Sequence, residues 1–251
     1  MLQKMLRILS SRKIFVSIVS AGVIIWRFST PVMAVVITPG QTSVTPAGAI
    51  TYSYGDPMLL IEDTGPVSFT GDYVYTNDPS SPNYGEYAFT GTLDTQVYYD
   101  PYNLVTGGGL DFVYQFTNIN SSDPNDDGDP INHFSISSFA KFLTDADYVA
   151  GSGTADNYVS TVGRNSQNNG DTVDFDFSGN PATSPVEPGS TSVQLVVDTN
   201  ASAWYMGEAS IQGGGNVSLA APAPVPEPAT AAIAGIALCA LGMRRRNAAR
   251  S

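Results

Sequence analysis

Large apolar residues alternate with polar residues along the middle of the chain, which is the period of two that β-strands require. The clearest run is Leu110–Thr117, where every second side chain is large and apolar. The pattern recurs in Asp72–Thr76, Phe134–Ser137, Val173–Phe177 and Val193–Val197, with clusters of Gly, Pro, Asn and Asp between the runs. This pattern predicts an all-β domain, an antiparallel β-sandwich of jelly-roll or immunoglobulin-like type with one solvated face on each sheet.

Two segments depart from the strand pattern. Residues Ala140–Ala146 predict a helical turn, and Gly163–Gly170 is polar enough to predict a mobile loop. Between residues 35 and 219 we find no fixed-period repeat and no domain boundary. We therefore expect one domain over residues 35–219.

The N-terminal residues have the three-part plan of a secretory signal. A basic stretch, Lys4–Lys13, precedes an apolar run, Ile14–Trp26, and small residues end at Ala34. This order predicts a signal peptide over residues 1–34 that is cut between Ala34 and Val35. The alternative is an uncleaved anchor, but the apolar run spans only roughly 20 Å as a helix, against about 30 Å of hydrocarbon.

The C-terminal residues also have three parts. A Pro-rich linker is expected over residues 220–228, an apolar helix over 229–243, and a basic cluster follows. Proline prevents the helix from extending back into the domain, and the positive cluster stays on the cytoplasmic side of a bilayer. The domain is therefore expected to face away from the cytoplasm, held transiently at the inner membrane by the tail at residues 229–251.

The linker ends in the motif Pro226-Glu227-Pro228, and Arg244, Arg245 and Arg246 form the basic cluster. This order of motif, apolar helix and basic cluster resembles the PEP-CTERM sorting signal of exported bacterial proteins, found in cells that make extracellular polysaccharide. The resemblance covers about the last 27 residues only. It implies processing near the motif by a membrane-embedded exosortase. The residues it marks are Pro226, Glu227, Pro228, Arg244, Arg245 and Arg246. The alternative is a plain C-terminal membrane anchor.

The charge distribution excludes some partners and some chemistry. All 23 acidic residues, including Glu227, lie between residues 35 and 243, where Lys141 and Arg164 are the only basic residues, so two positive charges against 23 negative leave this part at −21. Such a surface repels nucleic acid and anionic lipid, and it attracts cations. Cys239 is the only cysteine and lies in the tail. We therefore expect no disulfide and no thiol chemistry in the delivered domain.

One acidic segment matches the opening of a calcium-binding loop. Oxygen-bearing side chains occupy positions 1, 3 and 5 of the segment that begins at Asp123, and Gly128 stands at position 6, where the loop bends. The twelfth position is Phe134 where such loops have glutamate. The candidate calcium ligands are Asp123, Asn125, Asp127 and Asp129. The alternative is a solvated turn rich in Asp and Asn.

Catalytic motifs are not found. His133 is the only histidine, and the chain has no Gly-x-Ser-x-Gly motif to place a nucleophile. We therefore predict no catalytic residues and no enzyme. A glycan hydrolase stays open as a third reading, because it needs only two suitably separated carboxylates.

Aromatic residues give a second hypothesis. Tyr98, Tyr99 and Tyr102 are close in sequence, as are Trp204 and Tyr205, and such side chains stack on sugar rings. The alternative is ordinary packing on a sheet. We expect an exported structural or interaction protein of the cell surface or extracellular matrix, linked to exopolysaccharide or biofilm, with a carbohydrate-binding module as the alternative.

Overall fold

The structure is a computed structural model that describes residues 35–46, 60–74, 86–101, 108–119, 129–154, 158–178 and 185–225. The predicted signal peptide and the predicted sorting helix lie outside these residues. The described part of the chain forms strands joined by turns, and its helical content is one 3-10 turn, Gln167–Asn169. The prediction of an all-β domain is confirmed. No helix among the described residues is long and apolar enough to cross a membrane.

Twelve strands are described. They are β1 (Val35–Val36), β2 (Leu60–Asp63), β3 (Val67–Val74), β4 (Glu86–Asp100), β5 (Gly109–Ile119), β6 (His133–Ile136), β7 (Thr144–Val149), β8 (Thr161–Arg164), β9 (Val173–Asp176), β10 (Gln194–Thr199), β11 (Trp204–Gln212) and β12 (Asn216–Pro224).

The strands form two antiparallel sheets. The seven-stranded sheet has the order β1-β7-β10-β5-β4-β2, and β3 pairs with β4 as well. The five-stranded sheet has the order β12-β11-β6-β9-β8. β4 is long enough to pair with β5 over most of its length, with β3 beside its first half and β2 beside its second half.

Both sheets contribute to one hydrophobic core. β5 of the larger sheet supplies Tyr114 and Phe116, and β6 of the smaller sheet supplies Phe134, all fully buried. The Tyr114 and Phe134 ring centroids lie 5.3 Å apart, and those of Phe116 and Phe134 lie 6.1 Å apart. The Tyr114 hydroxyl donates to the carbonyl of Pro222 at 2.6 Å, so the one polar atom of this ring is satisfied inside the core.

The predicted helical turn at residues 140–146 is wrong. Residues 140–142 form a turn in which Lys141 has a φ of 72°, and the chain then enters β7 at Thr144. β7 pairs along its whole length with β10, which supplies the ladder hydrogen bonds of six residue pairs. At Thr144–Ala146 this pairing outweighs the helix preference of the Ala, Lys and Leu side chains in the segment.

The predicted mobile loop at Gly163–Gly170 is also wrong in its first part, since Gly163 and Arg164 end strand β8. The Arg164 side chain is 2% exposed, and its guanidinium donates to three backbone carbonyls. The acceptors are Gly170 O at 2.7 Å, Ile37 O at 3.2 Å and Phe139 O. The Arg164 guanidinium therefore links the segment after β1, the turn before β7 and the end of the polar segment.

The C-terminal boundary of the domain differs from the expected linker start at residue 220. β12 continues to Pro224, and Ala221 and Ala223 are fully buried. The backbone N–H of Val225 then donates to Ala203 O at 3.0 Å. Residues 220–224 belong to the domain because their alternate alanines pack into the core opposite β11.

Candidate functional site

The residues predicted from the sequence to act in sorting and cleavage are mostly outside the described part of the chain. Ala34 lies outside it, as do the motif at residues 226–228 and the basic cluster at 244–246. Val35 is described and is the first residue of β1. The predicted cleavage point is therefore directly followed by a strand.

The predicted calcium loop is described only at its last candidate ligand. Asp123, Asn125 and Asp127 lie outside the described residues, whereas Asp129 is half-buried. The Asn118 side chain donates to Asp129 O at 3.0 Å, and the Asp129 carboxylate lies where a Cβ on Gly214 would stand. Among the described residues, no three acidic, histidine or cysteine side chains are grouped so as to hold a metal ion. Calcium binding stays a prediction.

The described structure instead places three aspartates in one line across the seven-stranded sheet. Asp145 of β7 pairs with Asp198 of β10, and Asp198 pairs with Asp111 of β5. We call these three residues the acidic row. Their sequence neighbours Ala146, Val197 and Phe112 belong to the core, so alternation directs the acidic row to the opposite face of the sheet, its outer face.

The acidic row is buried although it lies on the outer face. Asp145, Asp111 and Asp198 are 0%, 1% and 4% exposed, and Asp147, two residues along β7 on the same face, is 0% exposed. Opposed residues on neighbouring antiparallel strands have Cα atoms about 4.5 to 5.5 Å apart. Like charges at that distance repel, and burial strengthens the repulsion.

The electrostatic consequence of this arrangement is a raised pKa at Asp145. Burial first, and then the negative charges of Asp198 and Asp147, raise the pKa of Asp145 to about 7. The backbone N–H of Ala146 partly offsets this rise, although neither Asp145 carboxylate oxygen has a hydrogen-bond partner of normal geometry. Asp145 is therefore close to half protonated at neutral pH.

A shallow depression lies on the same outer face. Its lining residues are Asp94, Gln96, Val113, Gln115 and Gln194. Gln115 donates to the carbonyls of Ser152 and Ser192, both at 2.9 Å, and this fixes the floor of the depression. Burial raises the pKa of Asp94, and the charge of Asp63 adds to the rise. Amide and carboxyl groups held in this way suit hydroxyl-rich ligands.

The aromatic residues predicted to bind sugar do not form one platform. Tyr98 and Tyr99 are consecutive in β4, so their side chains lie on opposite faces of the sheet. Trp204 and Tyr205 are consecutive in β11, and Trp204 packs against the core. Tyr102 lies outside the described residues. Of these residues, only Tyr98 lies on the outer face with the depression, where its hydroxyl donates to Gln96 Oε1 at 2.7 Å.

The single histidine lies on the smaller sheet. His133 Nε2 is 3.5 Å from Asp174 Oδ1, and both side chains are about one-third exposed. The pair has the form of a surface ion pair when His133 is protonated.

The acidic row was missed from the sequence because its members are far apart along the chain. Asp111, Asp145 and Asp198 meet only through the register of three strands. The alternation Asp145-Ala146-Asp147 was the available signal, but the segment was interpreted as a helical turn. If the segment is interpreted as a strand, both aspartates lie on one face of it.

Comparison with known proteins adds no assignment. No family model matches the chain, and neither a curated protein nor a solved structure matches it.

Proposed function

We propose that this chain is the precursor of an exported cell-surface or extracellular-matrix protein, sorted by an exosortase, whose β domain has a structural or binding role and no catalytic one. We further propose that the two sheets form a β-sandwich. The sandwich is supported by the ring contacts between β5 and β6 and by the single shared core. The delivered protein is expected in the cell envelope or outside the cell, in association with exopolysaccharide.

The observation that carries this proposal is the fit between the folded domain and the two predicted signals. β1 begins at Val35, the residue after the predicted signal cleavage. β12 ends at Pro224, two residues before the Pro226-Glu227-Pro228 motif. Removal of both signals would leave the described strands intact, because every described strand lies between them.

Replacement of the motif glutamate tests the sorting proposal. In a host that contains an exosortase, we expect Glu227→Ala to accumulate with its C-terminal tail uncut in the membrane fraction. Glu208→Ala is the matched control, because Glu208 is exposed on β11 and precedes the motif by 18 residues in the sequence. Intact-mass measurement of the fractionated protein gives the result. A Glu227→Ala protein that is processed as the wild type is processed would contradict the assignment.

A carbohydrate-binding module is the second candidate, and the depression on the outer face favours it. Gln96 and Gln194 offer amide groups beside the Asp94 carboxyl group, a set that matches sugar hydroxyls. On a glycan array, we expect Gln96→Ala and Gln194→Ala to lose at least about tenfold in binding relative to Glu208→Ala, since each removes one hydrogen-bonding group. The absence of any binding would leave the structural role, and glycan turnover would favour a hydrolase.

A further inference from the structure

The predicted signal cleavage produces a new N-terminus in the edge strand β1 of the seven-stranded sheet. Val35 pairs with Ala146 of β7, and the N–H of Ile37 donates to Thr144 O at 3.0 Å. Ile37 itself is 1% exposed. The processed chain would therefore begin with a residue that is already held in an edge strand, and its terminal nitrogen could not move far from β7.

Two buried aspartates flank the residue that Val35 pairs with. Asp145 and Asp147 stand on either side of Ala146, and both side chains project from the outer face of β7. Both oxygens of Asp145 are buried and have no hydrogen-bond partner of normal geometry. By ordinary sheet dimensions, the nitrogen of Val35 lies within roughly 7 Å of these two carboxyl groups.

Cleavage changes the charge of that nitrogen. In the uncut chain it is a neutral amide, whereas in the processed chain it is an amine with an ordinary pKa of about 7.7 to 8.0. An ammonium group beside a desolvated carboxylate stabilises its charged form. The other cation buried in the described domain, Arg164, donates to backbone carbonyls instead.

We propose that signal cleavage between Ala34 and Val35 supplies a counter-charge for the acidic row: the α-ammonium group of Val35 binds beside Asp145 and Asp147 and holds β1 on the sheet. The charged groups that face it are Asp145 and Asp147 of β7, then Asp198 of β10 and Asp111 of β5. β1 itself contributes none, since it consists of Val35 and Val36.

This arrangement couples the stability of the domain to its export. The precursor contains the buried carboxylates without the terminal ammonium group, so this stabilisation is absent before cleavage. The processed chain gains it only after the signal peptide has been removed on the far side of the membrane. The proposal rests on the cleavage point that forms part of the proposed function.

The test compares charged and neutral N-termini on the same chain. A protein expressed as Met followed by residues 35–251 loses its Met before Val35, which gives the processed N-terminus without any export step. Lys141 is the only lysine in this chain, so in a Lys141→Arg background the α-amine is the single primary amine. Carbamylation with cyanate then neutralises that amine alone.

Carbamylation is expected to lower the Tm at pH 7 by about 3 to 6 °C. In Asp145→Asn/Asp147→Asn the same treatment is expected to change the Tm by less than about 1 °C, because the carboxylates are gone. An equal loss in both proteins, or no loss in the wild type, would overturn the pairing.

A second variant keeps the test valid if the double substitution prevents folding. A chain that begins at Ala34 carries both aspartates but moves the ammonium group outwards by about 3.4 Å. We expect it to lose most of the stabilisation, and a Tm equal to that of the Val35 chain would contradict the proposal. Sequencing the first residue of the exported protein tests the cleavage separately, so failure of the cleavage and failure of the pairing give different results.

Discussion

Two buried charged side chains of this domain, Arg164 and Asp145, have opposite surroundings. The Arg164 guanidinium is 2% exposed, yet three backbone carbonyls accept its hydrogen bonds. The Asp145 carboxyl group is 0% exposed, has no partner of normal geometry, and lies beside Asp198 and Asp147. The positive group is solvated by the backbone, whereas the negative group is desolvated among groups of its own sign.

The difference indicates that Arg164 stabilises the fold, whereas the ionised Asp145 carboxylate destabilises it. A buried charge stabilises only when hydrogen bonds replace its lost water. Arg164 meets that condition, so its removal takes a donor from three carbonyls, of which Phe139 O still accepts from the N–H of Phe142. Asp145 does not meet it, and its elevated pKa measures the cost. Groups held at such a cost are found often at functional sites.

The largest effect is expected from Arg164→Met. This change keeps much of the side-chain volume but leaves buried acceptors unpaired, at about 1 to 3 kcal/mol for each. We expect a loss of about 3 to 5 kcal/mol in the free energy of unfolding, measured by urea denaturation at pH 7. Lys141→Met is the matched control, because Lys141 is exposed in a nearby turn, and it should stay within about 0.5 kcal/mol. A loss below about 1 kcal/mol in Arg164→Met would show that the hydrogen bonds of Arg164 do not stabilise the fold.

The opposite effect, a gain in the free energy of unfolding, is expected from Asp145→Asn at high pH. Asp145 has a folded pKa of about 7, and an unfolded aspartate titrates near 3.9, so its contribution to stability is complete below about pH 4 and is lost as the pH rises through 7. The full difference corresponds to at most about 4 kcal/mol, and local relaxation reduces it.

In the chain with a carbamylated N-terminus, where no ammonium group faces Asp145, we therefore expect Asp145→Asn to be more stable than the protein with Asp145 by about 1 to 3 kcal/mol at pH 8 and within about 0.5 kcal/mol of it at pH 4. Urea denaturation at the two pH values gives the comparison. Glu208→Gln, which neutralises an exposed carboxylate, serves as the control and should show no such dependence. A destabilised Asp145→Asn at pH 8 would mean that the carboxylate is paired and that the contrast with Arg164 does not hold.

The smallest effect is expected at the exposed pair His133 and Asp174. These groups are 3.5 Å apart and partly solvated. Asp174→Asn should lower stability at pH 5.5 by less than about 0.5 kcal/mol, because solvent screens the attraction. Urea denaturation at low and high salt checks this value. A loss above about 1 kcal/mol would show that an exposed ion pair of this domain can contribute as much to stability as a buried charged group.

The sequence predicted the strands whose local pattern and tertiary role agree. In β5 every second side chain is large, and these side chains fill the core, so alternation alone was sufficient. β7 could not be predicted in this way, because residues 140–146 have helix-favouring side chains and become extended only through pairing with β10. Likewise, the prolines of β12 indicated a linker, whereas its buried alanines place residues 220–224 in the domain.

Neither the acidic row nor the hydrogen bonds of Arg164 could be predicted from the sequence, and the reason is the same for both. Each depends on contacts between residues that are distant in the chain, and the composition reports only that aspartate is abundant and arginine rare. The rarity of Arg164 was visible, but its burial follows from the packing of three separate segments. Hydrophobic patterning identifies faces of strands and does not identify which polar groups share a face.

We propose that both ends of the chain are removed and that the described domain is what the cell delivers. The decisive experiment is intact-mass measurement of the protein isolated from the native envelope. We expect a mature chain that begins at Val35 and lacks residues 244–251. A mature pool that retains the mass of all 251 residues would contradict it.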